Sequence, residues 1–354
     1  MTSDFLSDSG DVSAGPSLRR RIGWITGLLI AANAAAWIWA IFLFHGQPLM
    51  IGTALFAWGL GLRHAVDADH IAAIDNVTRK LMQDGQRPAT VGLWFAIGHS
   101  AIIAIAAVAV ALTASALSRF EAFKQVGGMV ATTISALFLF TIAAMNLVIL
   151  RAVWKTFAHV RRGGIYVEED LDMLTAGRGL LSRLFRPMFR LVSRSWHMAP
   201  LGFLFGLGFD TATEVAILGL SASQAANGVS ISTVLVLPAL FAAGMALIDT
   251  LDGVVMLGAY EWAFVKPIRK LYYNITITLI SALVAIVIGG IEAAALIGDK
   301  FGLQGGVWTI AAGLGENFNS LGFAIIGLFL LCWIASFAIY RWKRFDEIEV
   351  AVRA

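Results

Sequence analysis

Long apolar runs dominate the chain, and short polar segments separate each run from the next. A helix needs about 20 predominantly apolar residues to cross a membrane. Runs of that order cover 22–44, 49–75, 91–113, 129–151, 199–222, 231–259, 271–297 and 321–341. The pattern predicts an all-α membrane protein with eight transmembrane helices, four within 22–151 and four within 199–341.

Composition supports a membrane location. Hydrophobic residues make up 58% of the chain and charged residues 14%, and the mean hydropathy is +0.79. Soluble domains carry about 25% charged residues, so a soluble enzyme is excluded and the lipid bilayer is the expected surrounding. The net charge of +3 is too small to indicate a nucleic-acid partner. The single cysteine, Cys332, excludes an intrachain disulfide framework and a thiolate metal cluster.

The positively charged residues predict the orientation. Of the 26 Lys and Arg, 22 fall in segments on the same side of the predicted spans as the N-terminus. Because cytoplasmic loops are enriched in Lys and Arg, both tails, 1–21 and 342–354, are expected in the cytoplasm. The basic loop 152–198 is expected there too, either as a solvated linker held by charge or as a basic amphipathic helix on the inner leaflet.

Four predicted spans carry clusters of ionisable residues. Such side chains are costly in hydrocarbon and usually face a partner or a cavity. The candidates are His64, Asp67, Asp69 and His70 in the second span, His99 in the third, Asp210 and Glu214 in the fifth, and Asp249 and Asp252 in the sixth. Histidine together with carboxylate is a ligand set for a divalent metal such as nickel, cobalt or zinc. We therefore predict an intramembrane metal site.

Helical geometry groups some of these candidates. At about 100° per residue, His64, Asp67 and His70 share one side of an ideal helix, whereas Asp69 lies elsewhere. Asp210 with Glu214, and Asp249 with Asp252, have spacings that also place each pair on one side of a helix. The structural alternative is that Arg63 pairs with Asp67, that the histidines bond to neighbouring helices, and that the two acidic pairs belong to packing networks.

An internal comparison suggests a repeat. Gly59-Leu60-Gly61 in the second span matches Gly206-Leu207-Gly208 in the fifth, and Phe95-Ala96-Ile97-Gly98 in the third matches Phe241-Ala242-Ala243-Gly244 in the sixth at nearly the same spacing. Spans three apart run in opposite directions, which is the arrangement of inverted repeats. We predict that helices 1–3 and 4–6 form a pseudo-symmetric core, with Asp67 opposite Glu214 and His99 opposite Met245, and that helices 7–8 are appended.

Four segments now carry a resemblance. RHAVDADHIAAIDN, FAIGHS, LGFDTATE and GMALIDTLD, in that order, resemble the signature segments of the nickel/cobalt transporter (NiCoT) family. The chain is most similar to hydrogenase-associated high-affinity nickel permeases of bacteria. The resemblance implies an eight-helix inner-membrane permease that takes up Ni²⁺, in some members Co²⁺, to supply nickel enzymes. The ion is the transported substrate, and no resident cofactor is expected.

The resemblance also assigns individual residues. The family's His-x4-Asp-His motif falls on His64, Asp69 and His70, and a locally unwound helix would reconcile Asp69 with the ideal-helix prediction. Residue 66 is Val, where cobalt-transporting relatives tend to carry Phe. Asn33 lies in the part of the first span that is linked to selectivity. These two positions favour nickel over cobalt.

The sequence also bears on energy coupling and on rival functions. It contains no P-loop, so direct ATP coupling within this polypeptide is not expected. The membrane potential or proton exchange through the histidines is the alternative, and no ATPase subunit is required. An efflux permease is the first alternative, but exporters often add a His-rich loop, and the long loop here holds only His159 and His197. An intramembrane metal-dependent hydrolase is the second, but no HExxH segment is present. We predict a permease and not an enzyme.

Overall fold

The computed structural model of the protein describes residues 15–112, 116–162, 166–167, 192–208, 212–226, 230–263, 267–342 and 352–353. The α-helices are α1 (Gly15–Leu43), α2 (Pro48–His64), α3 (Ala68–Gln83), α4 (Val91–Leu112), α5 (Ala116–Arg161), α6 (Met198–Phe205), α7 (Ala212–Ala226), α8 (Ile231–Ala263), α9 (Pro267–Phe301), α10 (Gly306–Gly315) and α11 (Phe318–Trp342). Short 3₁₀ helices cover Ser195–His197 and Gly206–Gly208. Two two-residue strands, β1 (Tyr166–Val167) and β2 (Val352–Arg353), pair in parallel.

Within the described ranges, six helices are long and apolar enough to cross a membrane. They lie in α1, α4, α5, α8, α9 and α11, and the bent pair of α2 and α3 raises the number to seven if it counts as one span. Large apolar side chains face outward from several of them, for example Trp24, Ile38 and Phe42 of α1. A lipid bilayer stabilises long helices whose apolar side chains face outward, because these side chains then contact hydrocarbon instead of water. The protein is an all-α, multi-pass membrane protein.

The second predicted span is not one straight helix, so the ideal-helix geometry predicted for it is wrong. α2 ends at His64, α3 begins at Ala68, and the two helices are bent by 52°. Asp67 has an extended backbone with φ −66° and ψ 146°. The backbone N–H of Asp67 still donates to the His64 carbonyl at 2.9 Å, and the N–H of Val66 donates to the Arg63 carbonyl at 3.1 Å. Pairing of these groups makes a break tolerable at membrane depth.

The fifth predicted span is also divided. α6 ends at Phe205, the 3₁₀ turn Gly206–Gly208 follows, and α7 begins at Ala212. Residues 209–211 are outside the described residues, and the predicted ligand Asp210 is among them. Most of the basic loop, including 168–191, is also outside them. Of the helices flanking that loop, α5 continues to Arg161 and α6 begins at Met198.

Close glycine contacts hold the broken spans against their neighbours. A Cβ atom built on Gly61 of α2 would overlap the carbonyl of Phe241 in α8, and one on Gly202 of α6 would overlap the carbonyl of Phe95 in α4. Glycine is required there because only a residue without a side chain lets two backbones approach so closely.

The same two helix pairs are also in close contact through glycines of the partner helices, α8 and α4. A Cβ on Gly244 of α8 would lie 2.7 Å from the Trp58 carbonyl of α2. A Cβ on Gly98 of α4 would overlap the Ala199 carbonyl of α6. α2 therefore crosses α8 in the way that α6 crosses α4, and a break in the helix follows each crossing.

Candidate metal site

Three histidines from three helical segments meet at the break between α2 and α3. His64 ends α2, His70 lies in the first turn of α3, and His99 lies in α4. One ring nitrogen from each lies within 4.8 Å of the other two. All three side chains are buried, with at most 3% of each residue exposed. The bend supplies the arrangement, since it turns His70 back so that its ring centroid lies 4.7 Å from that of His64.

Glu214 of α7 joins the histidines directly. Its Oε1 lies 3.0 Å from His99 Nε2 and 4.0 Å from His64 Nε2. The Nε2 atoms of His64 and His99 are themselves 2.9 Å apart. Glu214 is 1% exposed, so a carboxylate and two imidazole nitrogens face one another in a region closed to water.

Two other carboxylates lie behind the histidines. Asp67 Oδ2 is 2.9 Å from His64 Nδ1, and Asp249 Oδ1 of α8 is 3.2 Å from His70 Nδ1. Thr213 Oγ1 is also 3.1 Å from His64 Nδ1. A carboxylate on one ring nitrogen fixes the ring orientation and leaves the other nitrogen for a metal. Asp67 and Asp249 therefore orient His64 and His70.

Two buried polar atoms of the histidine–carboxylate contacts have no hydrogen-bond partner in the part of the chain that the structure describes. They are His70 Nε2 and Asp249 Oδ2. A buried polar atom without a partner costs free energy, so the unpartnered ring nitrogen of His70 indicates a ligand. Imidazole nitrogens beside carboxylate oxygens fit a divalent cation.

Asp69 and Asp252 are two further predicted ligands among the described residues. Asp69 follows the break and has a buried Oδ1 without a hydrogen-bond partner among the described residues; like Glu214, it is outside the group of three histidines whose ring nitrogens lie within 4.8 Å of one another. Asp252 lines a cavity of about 470 Å³ between α8, α9 and α11, whose walls are otherwise mostly apolar. His64, Asp67 and His70 lie close together because the chain bends between α2 and α3, and not because they share one face of a helix.

The two predicted selectivity residues lie in packing contacts. The Asn33 side-chain amide donates to the carbonyls of Leu29 and Ala243 and accepts a hydrogen bond of 2.9 Å from Trp58 Nε1. Val66 belongs to a buried apolar cluster, and a Cβ built on Gly322 of α11 would overlap its carbonyl. Asn33 thus joins α1 to α2 and α8.

Two aromatic residues that sequence reasoning left without a role border the histidines. Phe95 of α4 lies 4.7 Å from the ring centroid of His70, and Phe241 of α8 lies 5.5 Å from that of His64. Both are fully buried. Their signal in the sequence is the internal match of Phe95–Gly98 with Phe241–Gly244, which indicated a repeat but no contact with the site.

Comparisons with known proteins identify the family. The family model described as "High-affinity nickel-transport protein" (NicO) matches residues 50–339. The chain is 59% identical over 333 residues to the high-affinity nickel transport protein of Cupriavidus necator, covering 94% of this chain and 95% of that one. No solved structure matches.

Two further relatives differ in the metal that their names give. The hydrogenase nickel incorporation protein HupN of Bradyrhizobium diazoefficiens is 53% identical over 93% of this chain and 84% of its own length. The cobalt transport protein NhlF of Rhodococcus rhodochrous is 40% identical over 92% of this chain and 94% of its own. The family resemblance read from the four signature segments is confirmed: the chain belongs to the NicO family of high-affinity nickel-transport proteins.

Proposed function

We propose that this protein is a permease that takes up Ni²⁺, with Co²⁺ as a second substrate, through the histidine centre. The observation that carries the proposal is the meeting of His64, His70 and His99, whose ring nitrogens lie within 4.8 Å of one another in a buried region. The names of the relatives, which include nickel and cobalt transporters, support this choice of substrate.

The distances between donor atoms fit one metal ion. Two nitrogens bound at right angles to an ion at about 2.1 Å would be about 3.0 Å apart. His99 Nε2 lies 2.9 Å from His64 Nε2 and 3.0 Å from Glu214 Oε1, whereas His64 Nε2 and Glu214 Oε1 are 4.0 Å apart. Two short edges and one long edge suit the square-planar or tetragonal geometry typical of Ni²⁺ better than a tetrahedral site.

We propose different roles for the predicted ligands. His64, His70, His99 and Glu214 bind the ion, and Asp67 and Asp249 orient His64 and His70. Asp69, Asp210 and Asp252 bind the ion before or after it occupies the centre. The unpartnered Asp69 Oδ1 supports this for Asp69. For Asp210 and Asp252 the support is their spacing from Glu214 and Asp249 on the chain.

We propose eight membrane crossings in the bacterial inner membrane, with the termini and the 152–198 loop in the cytoplasm. In this topology α2 with α3 is the second crossing and α6 with α7 is the fifth. The distribution of Lys and Arg along the sequence supports the orientation.

We also propose that helices 1–3 and 4–6 form an inverted repeat, with helices 7 and 8 appended. The reciprocal contacts of Gly61 with Phe241 and of Gly202 with Phe95 support it. These contacts favour an alignment of Gly61 with Gly202 over one with Gly208, because each of the first two glycines faces a phenylalanine of the Phe95–Phe241 match. In that alignment Asp67 is opposite Gly208 instead of Glu214, while Phe95 remains opposite Phe241 and His99 opposite Met245.

Inward movement of Ni²⁺ needs no ATP in this proposal. A divalent cation moving down a membrane potential of about 100 mV releases about 4.6 kcal/mol, twice the value for one elementary charge. The protein is proposed as a permease that requires no ATPase subunit and is not an enzyme; the nickel-transport family supports the permease. Export is not favoured by the names of the relatives, which describe high-affinity nickel transport.

The test is ⁶³Ni²⁺ uptake at nanomolar concentration in cells that express the wild type or His64→Ala. Uptake that the substitution abolishes, and that excess Mg²⁺ and Zn²⁺ do not suppress, would support the proposal, and competition by Co²⁺ would measure the second substrate. His45→Ala is the matched control, because His45 is an exposed histidine in the turn between α1 and α2. Cells that hold less nickel than empty cells would contradict uptake, and normal uptake by His64→Ala would contradict the proposed site.

A further inference from the structure

Two fully buried phenylalanines border the histidine centre from different helices. Phe241 of α8 contacts the ring of His64, with a centroid distance of 5.5 Å. Phe95 of α4 contacts the rings of His70 and His99, with centroid distances of 4.7 and 6.0 Å. A built Cβ on Gly61 would overlap the Phe241 carbonyl, and one on Gly202 would overlap the Phe95 carbonyl. Each phenylalanine is thus fixed at a tight helix crossing.

The two phenylalanines lie in opposite halves of the helix bundle because α4 and α8 run in opposite directions. Near the start of α4, a Cβ on Gly92 would overlap the carbonyl of Asp249, in the second half of α8. In the proposed topology α4 is the third crossing and α8 is the sixth, so the two helices cross the membrane in opposite directions. Phe95 is in the second turn of α4 and Phe241 is in the first third of α8. Each is therefore nearer the end of the bundle at which its own helix begins.

The order of contacts along α2 and α3 gives the same arrangement. Gly61 faces Phe241 of α8, whereas His70 contacts Asp249, eight positions further along that helix. At a rise of about 1.5 Å per residue, the two α8 positions are about 12 Å apart along the axis. Phe241 accordingly covers the His64 end of the centre, and Phe95 contacts His70 near the other end.

We propose that Phe95 and Phe241 are paired positioning residues that close the two ends of the metal site, one toward each side of the membrane. A benzyl side chain offers no lone pair to a cation, and it excludes the water that a hydrated divalent ion carries. In the closed arrangement neither end admits a hydrated ion, and movement of one phenylalanine opens the site to one side alone. This role rests on the proposed transport function, since a seal has meaning only for a site that ions enter and leave.

The test measures access to a thiol placed at the centre. Thr213→Cys puts a sulfur close to His64, because Thr213 Oγ1 lies 3.1 Å from His64 Nδ1. Cys332→Ala removes the single native cysteine. A membrane-impermeant cationic methanethiosulfonate is then applied to right-side-out spheroplasts and, separately, to inverted vesicles. The labelling rate is compared with and without Phe95→Ala or Phe241→Ala.

We expect each alanine substitution to raise the labelling rate at least tenfold from one side of the membrane only. Phe95→Ala and Phe241→Ala should do so from opposite sides. Phe95→Leu and Phe241→Leu, which keep apolar bulk, should retain slow labelling. Phe44→Ala is the matched control, because Phe44 is equally buried and has no ring contact with a histidine among the described residues. Opening to the same side, opening to both sides alike, or no change of rate in correctly inserted protein would overturn the proposal.

The same preparation separates this proposal from the proposed function. Ni²⁺ added to the Thr213→Cys protein should slow labelling if the ion binds His64, because the ring of His64 contacts position 213. One-sided opening without protection by Ni²⁺ would leave the seals in place and contradict the nickel site. Protection by Ni²⁺ without one-sided opening would support the nickel site and contradict the seals.

Discussion

The Nε2 atoms of His64 and His99 lie 2.9 Å apart, although 35 positions separate the two residues in the sequence. Without an ion, one of these nitrogens must donate a proton to the other, or both lone pairs would face each other. A divalent cation bound by both removes that requirement. The carboxylate of Glu214, 3.0 Å from His99 Nε2, balances part of the charge of such an ion.

Glu214→Gln should weaken nickel binding strongly while leaving the fold intact. The amide keeps the shape of the side chain but removes the negative charge that faces His99 at 3.0 Å. We expect the KM for ⁶³Ni²⁺ uptake to rise at least tenfold. Glu316→Gln, in an exposed position, should leave the KM unchanged. An unaltered KM in Glu214→Gln, with equal amounts of protein in the membrane, would remove Glu214 from the ligand set.

Asp67→Asn and Asp249→Asn should reduce nickel affinity without abolishing transport. Both carboxylates contact the Nδ1 atoms of histidines whose Nε2 atoms are left for the metal. Loss of such an orienting partner typically costs about 10- to 100-fold in metal affinity. Isothermal titration of the purified proteins with Ni²⁺ would measure it, with the exposed Asp299→Asn as control. Complete loss of binding in both variants would instead identify the two aspartates as direct ligands.

Asn33→Ala and Trp58→Phe should change the ratio of nickel to cobalt uptake in the same direction. The Asn33 side chain bonds to Trp58 Nε1 and to the Ala243 carbonyl, so it acts on the site through the positions of α2 and α8. Trp58→Phe removes one of these bonds while keeping an aromatic ring. Competition of ⁶³Ni²⁺ uptake by Co²⁺ gives the ratio, and the outward-facing Trp24→Phe is the control. A change in Asn33→Ala that Trp58→Phe does not share would indicate that Asn33 acts on the ion without this contact.

Gly61→Ala should destabilise the protein, whereas Gly59→Ala should not. An added methyl group at Gly61 would overlap the backbone of Phe241, and at Gly59 it would meet nothing within 4 Å. Overpacking of this kind typically costs about 1–3 kcal/mol. Thermal unfolding of the purified proteins in detergent would show a lower Tm for Gly61→Ala alone. Equal Tm values for the two variants would contradict the close crossing of α2 and α8.

The sequence by itself determined the class of protein and the residues from which the site is made. The hydrophobic pattern of one segment is enough to identify a membrane span, because the bilayer acts on each segment separately. Likewise, a histidine or carboxylate within such a segment requires a reason wherever the neighbouring helices lie. The four signature segments then gave the family.

Only the tertiary structure decided how those residues combine. The bend after His64 depends on backbone turns at residues 65–67 that the apolar pattern does not record, and it brings His70 to His64 in place of a shared helical face. Helix packing places Glu214 against His99 and leaves Asp252 at a separate cavity. The roles of Phe95 and Phe241 arose in the same way, since contacts between distant segments depend on how closely their backbones pack, and glycines in four different helices set that distance.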